Sequence, residues 1–149
     1  MAINLIATPY NINSALGAVQ RCLTEKKNAA QGITGVSAHS CCCCVIYLDQ
    51  NQNSQWVVGI SRGKIPYTNK TLQQRAACAH GELTAFWDVI EEYNGIPPNI
   101  LEVYIEMSPC AKCKPALDNI LPNGQDVHYS FVHPGQVGLW QAAATNLCK

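Results

Sequence analysis

Two short segments constrain this chain more than any other feature, because they carry side chains that have to meet in the folded protein. The first is Ala79–Glu82 (AHGE) and the second is Ser108–Cys113 (SPCAKC). The imidazole of His80 and the thiolates of Cys110 and Cys113 suit zinc, with the fourth tetrahedral position left open for water as in catalytic sites. The sequence therefore predicts a zinc site with three protein ligands.

Glu82 is the acid that remains once these ligands are assigned. A carboxylate two residues after a ligand histidine can lie beside the open position on the metal. There it can take a proton from the bound water and pass it to a leaving amine. We therefore expect Glu82 to be the catalytic acid and base of a hydrolytic site.

Two alternatives use the same residues differently. A structural zinc site would need a fourth protein ligand, and Cys78 is the nearest candidate. Residues two apart on a helix point about 200° apart, so Cys78 and His80 should not both reach one ion if that turn is helical. A redox pair formed by Cys110 and Cys113 would leave His80 and Glu82 without a role.

The size and composition of the chain predict one domain spanning residues 1–149. With 48% hydrophobic residues among 149, the chain has enough apolar material for a core. No apolar run approaches membrane-spanning length. We therefore expect a soluble protein with no membrane partner.

The net charge of the chain is zero, but its charged residues are unevenly distributed along the sequence. The stretch 50–81 contains no acid, whereas Lys112 and Lys114 flank Cys113 in the second segment. The basic residues of that stretch are Arg62, Lys64, Lys70 and Arg75. Basic residues next to both segments favour a phosphate-bearing substrate; the alternative is an ordinary solvated loop.

Nine cysteines are many for this length, and Cys41–Cys44 are consecutive. In a strand their side chains would alternate between two faces, so they cannot surround one ion, and a disulfide between neighbours is strained. We expect a buried strand that uses cysteine as a small hydrophobic residue. Cys22, Cys78 and Cys148 have no clear partner, which favours a reducing compartment.

Hydrophobic periodicity and turn residues predict the secondary structure. Residues 1–10 read as an irregular extended lead-in, and Asn13 or Ser14 can cap a helix that ends near Gly32. The further predicted elements are strands at 41–48 and 55–61, a helix at 72–93, a strand at 101–107, a helix from Ser108, a strand at 127–133 and a helix at 137–147. Residues 101–107 alternate, which predicts one core face. This order indicates a three-layer α/β domain with a mixed sheet.

Loop residues near the two segments are candidates for substrate contacts. Tyr67 could stack on a base, and Asn69 could hydrogen-bond a sugar or base. Asn69 could equally cap the helix that follows. His133, Pro134 and Trp140 are expected at the mouth of the pocket, and Arg62 belongs to the basic stretch.

The pattern H-x-E followed by P-C-x-x-C resembles the zinc-dependent cytidine deaminase superfamily. The resemblance implies a three-layer α-β-α fold with a mixed sheet. It implies that His80, Cys110 and Cys113 bind Zn²⁺ and that Glu82 carries protons during hydrolysis at C4 of cytosine. It further implies backbone contacts to the base, and the residues that would make them are Gly81 and Ser108.

A finer resemblance is to the deaminase domains of bacterial polymorphic toxins, including those acting on DNA. It is carried by Tyr67, Asn69, His80-Gly81-Glu82 and Leu121-Pro122-Asn123. It implies single- or double-stranded DNA as substrate, an immunity protein as partner, and action in the cytoplasm of a recipient bacterial cell. The glycine inside H-x-E and the lack of an obvious fifth strand near the C-terminus depart from the family pattern.

Two other functions are compatible with the same segments. The protein could deaminate a free nucleoside, nucleotide or small heterocycle, for which a small neutral protein suffices. It could instead be a zinc-stabilised interaction module, in which Glu82 would be dispensable.

Overall fold

A computed structural model of the chain describes residues 3–32, 37–60, 81–109 and 113–149. Within these ranges, the side chains at positions 32, 81–84, 87 and 113 lie outside the description. The elements, in chain order, are β1 Asn4–Ala7, α1 Gly17–Gly32, β2 Cys42–Leu48, β3 Ser54–Ile60, α2 Gly81–Tyr93, β4 Ile100–Met107, α3 Cys113–Ile120, β5 Asp126–Phe131 and α4 Val137–Leu147. The α/β class predicted from the sequence is confirmed.

The strands form one mixed five-stranded sheet in the order β1-β5-β4-β2-β3. β5 is parallel to both β1 and β4, whereas β2 is antiparallel to both β4 and β3. β1, β3, β4 and β5 therefore all run in one direction. We call the end of the sheet where these four strands finish and β2 begins its C-terminal end; the residues there are Ala7, Cys42, Ile60, Met107 and Phe131.

The strand β1 corrects the expectation of an irregular N-terminal lead-in. Asn4–Ala7 pairs in parallel with β5, in the register Asn4 to Asp126 and Ala7 to Tyr129. The fifth strand, which the sequence does not show near the C-terminus, is thus supplied by the N-terminus. All four residues of β1 are exposed, so no alternation of buried and exposed positions marks the segment as a strand.

Side chains of β2 alternate between the two faces of the sheet. Cys43 and Val45 pack with Phe86 of α2 and Leu117 of α3 in one core cluster. On the other face, Cys42 and Cys44 pack with Val19 and Leu23 of α1. The prediction that consecutive cysteines line opposite faces of a buried strand is confirmed, and the two clusters place helices on both faces of the sheet.

From Val103 to Met107 the strand β4 is buried on both faces, which corrects the expectation of one core face, whereas Leu101 near its start is 49% exposed. Val103 and Ile105 belong to the cluster beneath α2 and α3, and Tyr104 to the cluster beneath α1. Glu106, the next residue on the α1 side, is 0% exposed. β4 lies between β5 and β2, and helices cover both of its faces, so the acid near its end is buried as well, whereas Glu102 near its start is half-buried.

The start of α1 uses acceptors from two places in the chain. Ser14, one of the two predicted caps, accepts a hydrogen bond from the Leu16 amide just before the helix (3.1 Å). The Ala18 amide in the first turn donates to the Glu102 carboxylate of β4 (2.9 Å). A negative charge at a helix N-terminus is favourable, so Glu102 both satisfies an amide and complements the helix dipole.

Within the described part of the chain, no helix combines the length and the apolar character needed to cross a bilayer.

Candidate active site

The helix α2 begins with the last two residues of the first segment, Gly81 and Glu82, and their backbone lies near the C-terminal end of the sheet. Its last turn lies at the opposite end, where Gln50 Nε2 donates to the Tyr93 carbonyl (3.1 Å) beside the β2–β3 turn. Thirteen helical residues span about 20 Å, which is close to the length of the strands on which α2 packs. The helix therefore begins, at Gly81 and Glu82, near the C-terminal end.

The helix α3 brings the last residue of the second segment to the same region. β4 finishes at Met107, at the C-terminal end, and α3 begins at Cys113. The helix then leads to β5, which starts at Asp126 at the opposite end of the sheet. In open α/β sheets, ligands bind outside the carboxyl ends of the strands. The topology thus puts the start of both helices where such a fold accommodates a ligand.

Two of the predicted substrate contacts, Ser108 and His133, are adjacent. The His133 amide donates to Ser108 Oγ (2.9 Å), and the Ser108 amide donates to the carbonyl of Phe131 (2.8 Å). The loop after β5 is thereby joined to the end of β4. Since the amide of Ser108 already donates its hydrogen bond to Phe131, a backbone contact from Ser108 to a base would be made by its carbonyl oxygen.

Several predicted site residues lie outside the described residues: His80, Cys110, Arg62, Tyr67 and Asn69. Gly81, Glu82 and Cys113 are described as helix backbone only. Among the side chains that are described, no group of three histidine, cysteine or acidic residues could hold a metal ion. The zinc ligands and the catalytic glutamate therefore stay predictions from the sequence, supported by the position of the two helix starts.

Lys114, one of the two lysines that flank Cys113, is paired within its own helix. Its Nζ lies 3.0 Å from Asp118 Oδ2 one turn later, and the lysine side chain is 41% exposed. Asp118 also accepts the Ile3 amide (3.1 Å), and this bond first and Lys114 second hold the pKa of the carboxyl below its usual value. The positive charge of Lys114 is thus partly neutralised.

Trp140 corrects the expectation that it borders the mouth of the pocket. It is 5% exposed and packs with Met107 and Ala144 in a small core cluster. Its indole Nε1 donates to Glu106 Oε2 (3.1 Å). Trp140 is therefore a core residue that satisfies a buried acid, whereas the nearby His133 is exposed.

Glu106 is the centre of a buried polar network that the sequence did not indicate. Lys26 Nζ donates to both carboxylate oxygens (2.7 and 2.8 Å), and both side chains are 0% exposed. The Cys42 amide donates to Oε1 (2.8 Å), and the Tyr10 hydroxyl donates to Oε2. Lys26 also donates to the Ser40 carbonyl (2.9 Å). One carboxylate thus joins α1, the start of β2, the end of β4 and the segment after β1.

The tyrosines around this network are held in their protonated form. Burial first, and the adjacent Glu106 second, raise the pKa of Tyr10 well above its usual value. Burial is also the main reason why the pKa of Tyr104 is raised, and its hydroxyl lies 2.7 Å from Ser130 Oγ. Both phenols therefore act as hydrogen-bonding groups rather than as bases at neutral pH.

A groove of about 120 Å³ lies at the opposite end of the sheet. Two tyrosines and two acids contribute to its wall, and the Tyr47 hydroxyl donates to Glu92 Oε2 (3.1 Å). Its acidic lining is unsuited to a polyanion, so it does not compete with the C-terminal end as the place for a phosphate-bearing substrate.

No model of a known protein family matches the chain, and no curated protein matches it. An assignment of function therefore depends on the residues of the two segments and on where the fold brings them.

Proposed function

We propose that the protein is a zinc-dependent hydrolytic deaminase that converts cytosine to uracil in a polynucleotide, with DNA as the favoured substrate. The observation that carries the proposal is the H-x-E and P-C-x-x-C pattern. It is supported by the topology, in which the described starts of α2 and α3 lie near the same end of the sheet.

The three predicted ligands supply the donor atoms that zinc prefers. One imidazole, from His80, and two thiolates, from Cys110 and Cys113, form a ligand set used at catalytic zinc sites. Thiolates near a helix N-terminus are also favoured by the free backbone amides and the helix dipole, which lower the pKa of cysteine. When bound, zinc supplies a Lewis acid that makes a water molecule a strong nucleophile at neutral pH.

Under this proposal Glu82 carries the protons of the reaction. It takes one from the attacking water and delivers protons to N3 and to the amino group of cytosine, so that ammonia can leave from C4. Gly81 and the carbonyl of Ser108 hold the base in place through backbone contacts. Tyr67 and Asn69 are the candidates for stacking on it and for hydrogen-bonding its edge or sugar.

The basic residues favour a polynucleotide over a free base. Arg62, Lys64, Lys70 and Arg75 precede the first segment in a stretch without acids, and Lys112 lies within the second. Phosphate contacts from such residues attract nucleic acid and make its binding depend on salt. A target base in a duplex has to leave the stack, which costs less in a single strand.

The test measures zinc content and deamination of four substrates: single-stranded DNA, duplex DNA and RNA, in which cytosine becomes uracil, and free cytidine, which becomes uridine. We expect uracil in DNA, a fall in affinity as ionic strength rises, and loss of bound zinc in Cys113→Ser. Glu82→Gln should keep its zinc and lose activity by about 10²-fold or more, because general acid–base catalysis contributes that much. Glu91→Gln, an exposed change near the other end of the same helix, should keep full activity.

Each rival has its own outcome in this experiment. Deamination of cytidine to uridine, with no reaction on any polynucleotide, would overturn the polynucleotide substrate and favour the monomer deaminase. The interaction module would be favoured if the protein bound zinc but deaminated no substrate, and if Glu82→Gln did not differ from wild type in either measurement. A protein that binds no zinc would overturn the proposal as a whole.

A further inference from the structure

Two buried cysteines from different elements lie in direct contact on the α1 side of the sheet. Cys22 is in the middle of α1, and Cys42 is the first residue of β2. Their Sγ atoms are 2.9 Å apart, and both residues are 0% exposed. The Sγ atom of Cys42 also lies 3.4 Å from the carbonyl oxygen of Cys22. A disulfide bond is about 2.0 Å long, so the sulfurs need to approach by less than about 1 Å to be joined.

We propose that Cys22 and Cys42 are a disulfide-forming site that links α1 to β2 when the protein meets a low-molecular-weight disulfide. One cysteine thiolate attacks the small disulfide, forms a mixed disulfide and releases one small thiol. The second cysteine then attacks the mixed disulfide, closes the Cys22–Cys42 bond and releases the other small thiol. The two cysteines lose two electrons and two protons, and the small disulfide gains them.

The position of the pair gives the bond a structural consequence. The two cysteines are 20 residues apart in the chain, and closing such a loop restricts the unfolded state. The Cys42 amide donates to Glu106 Oε1, so the strand at this point is already fixed to β4. The bond would therefore join α1 covalently to a rigid part of the sheet, which should stabilise the oxidised protein.

The surroundings indicate that the reaction is slow in the folded protein. Burial first, and then the hydrogen bond with Cys42, raise the pKa of Cys22 well above its usual value. Burial likewise raises the pKa of Cys44, the next cysteine on this face of β2. Because the thiolate is the reactive form, we expect equilibration over hours rather than seconds. The inference does not depend on the proposed deaminase activity.

The experiment incubates the wild-type protein in buffers with a graded ratio of oxidised to reduced glutathione. Exchange is then stopped with acid, the remaining thiols of the denatured protein are alkylated after return to neutral pH, and the disulfide is located by non-reducing peptide mass spectrometry. We expect a peptide that joins Cys22 to Cys42, and a thermal midpoint several degrees higher in the oxidised protein than in the reduced protein. In Cys22→Ala, both the linked peptide and the oxidation-dependent shift should be absent.

Cys44→Ala is the matched control, because Cys44 is on the same strand and face, is also 0% exposed and belongs to the same cluster. It should still form the bond and show the shift. The inference is overturned if wild type forms no Cys22–Cys42 peptide at any ratio, or if Cys22→Ala keeps the oxidation-dependent shift. The mapping on wild type requires no variant to fold, so the first of these results is decisive by itself.

Discussion

Replacing Lys26 by methionine should destabilise the protein far more than removing an ordinary lysine. Methionine keeps much of the apolar length of the side chain but leaves Glu106 with a buried charge that has lost its cation. Both side chains are 0% exposed, and Lys26 makes two hydrogen bonds to Glu106 and one to Ser40. Breaking a buried pair by removing one partner costs about 3–5 kcal/mol. The free energy of unfolding of such domains is only about 5–15 kcal/mol, so the expected loss is a large share of it.

Urea denaturation followed by circular dichroism measures this loss as a fall in the free energy of unfolding. Lys114→Met is the matched control, because its pair with Asp118 is 41% and 26% exposed and such surface pairs contribute about 1 kcal/mol or less. The double variant Lys26→Met with Glu106→Gln removes both charges. Its loss should be smaller than the sum of the two single losses by at least about 1 kcal/mol, which is the coupling expected for residues in contact.

The reasoning would be refuted if Lys26→Met cost no more than Lys114→Met. It would also be refuted if the two changes at Lys26 and Glu106 were additive. Either result would mean that the buried carboxylate does not depend on its lysine, and that the hydrogen bonds from Cys42, Tyr10 and Trp140 suffice to hold it.

Two further predictions follow from single contacts. Glu102→Ala removes the acceptor of the Ala18 amide and should lower the free energy of unfolding by about 1 kcal/mol. Glu102→Gln keeps an acceptor oxygen and should lower it by less. Urea denaturation measures both losses, and equal losses would contradict the capping role of Glu102. Burial first and Glu92 second raise the pKa of Tyr47 to about 12. This pKa is higher in the folded protein than in the unfolded chain. The protonated phenol of Tyr47 therefore contributes its full stability below about pH 10, and this contribution is lost as the pH rises through about 12. The alkaline fall in unfolding free energy should therefore be shallower in Tyr47→Phe, and an unchanged slope would contradict this.

Elements with strong local signals could be predicted from the sequence. The last helix was predicted at 137–147 and is observed at Val137–Leu147, because Pro134-Gly135 and a regular apolar spacing mark its start and its length. Residues 41–48 were predicted as a strand and β2 is Cys42–Leu48. β1 escaped prediction because it has only four residues and is exposed throughout. Its strand conformation depends on pairing with β5, more than 100 residues later in the chain.

The candidate site was predictable only in part, for a related reason. The residue types and spacing of the two segments indicate zinc ligands and an acid without any knowledge of the fold. The partners of Glu106 do not follow from spacing, since Tyr10, Lys26 and Trp140 are 96, 80 and 34 residues away in the chain. Alternation along residues 101–107 suggested an exposed acid. The signal available was an acid near the end of a mostly apolar strand, and this signal does not identify the residues that pair with the acid.

The buried network and the proposed active site meet at the end of β4, and this suggests why a core would contain an ion pair. Compared with well-packed apolar residues of similar volume, a buried ion pair adds little or no net stability. Its directional hydrogen bonds do fix geometry, and here they join four parts of the chain to Glu106, two residues before Ser108. Ser108 is in turn held by Phe131 and His133. The segment that carries Cys110 and Cys113 therefore leaves the sheet from a strand end fixed on both sides. A site that needs its ligands within about 0.5 Å of one geometry requires such support.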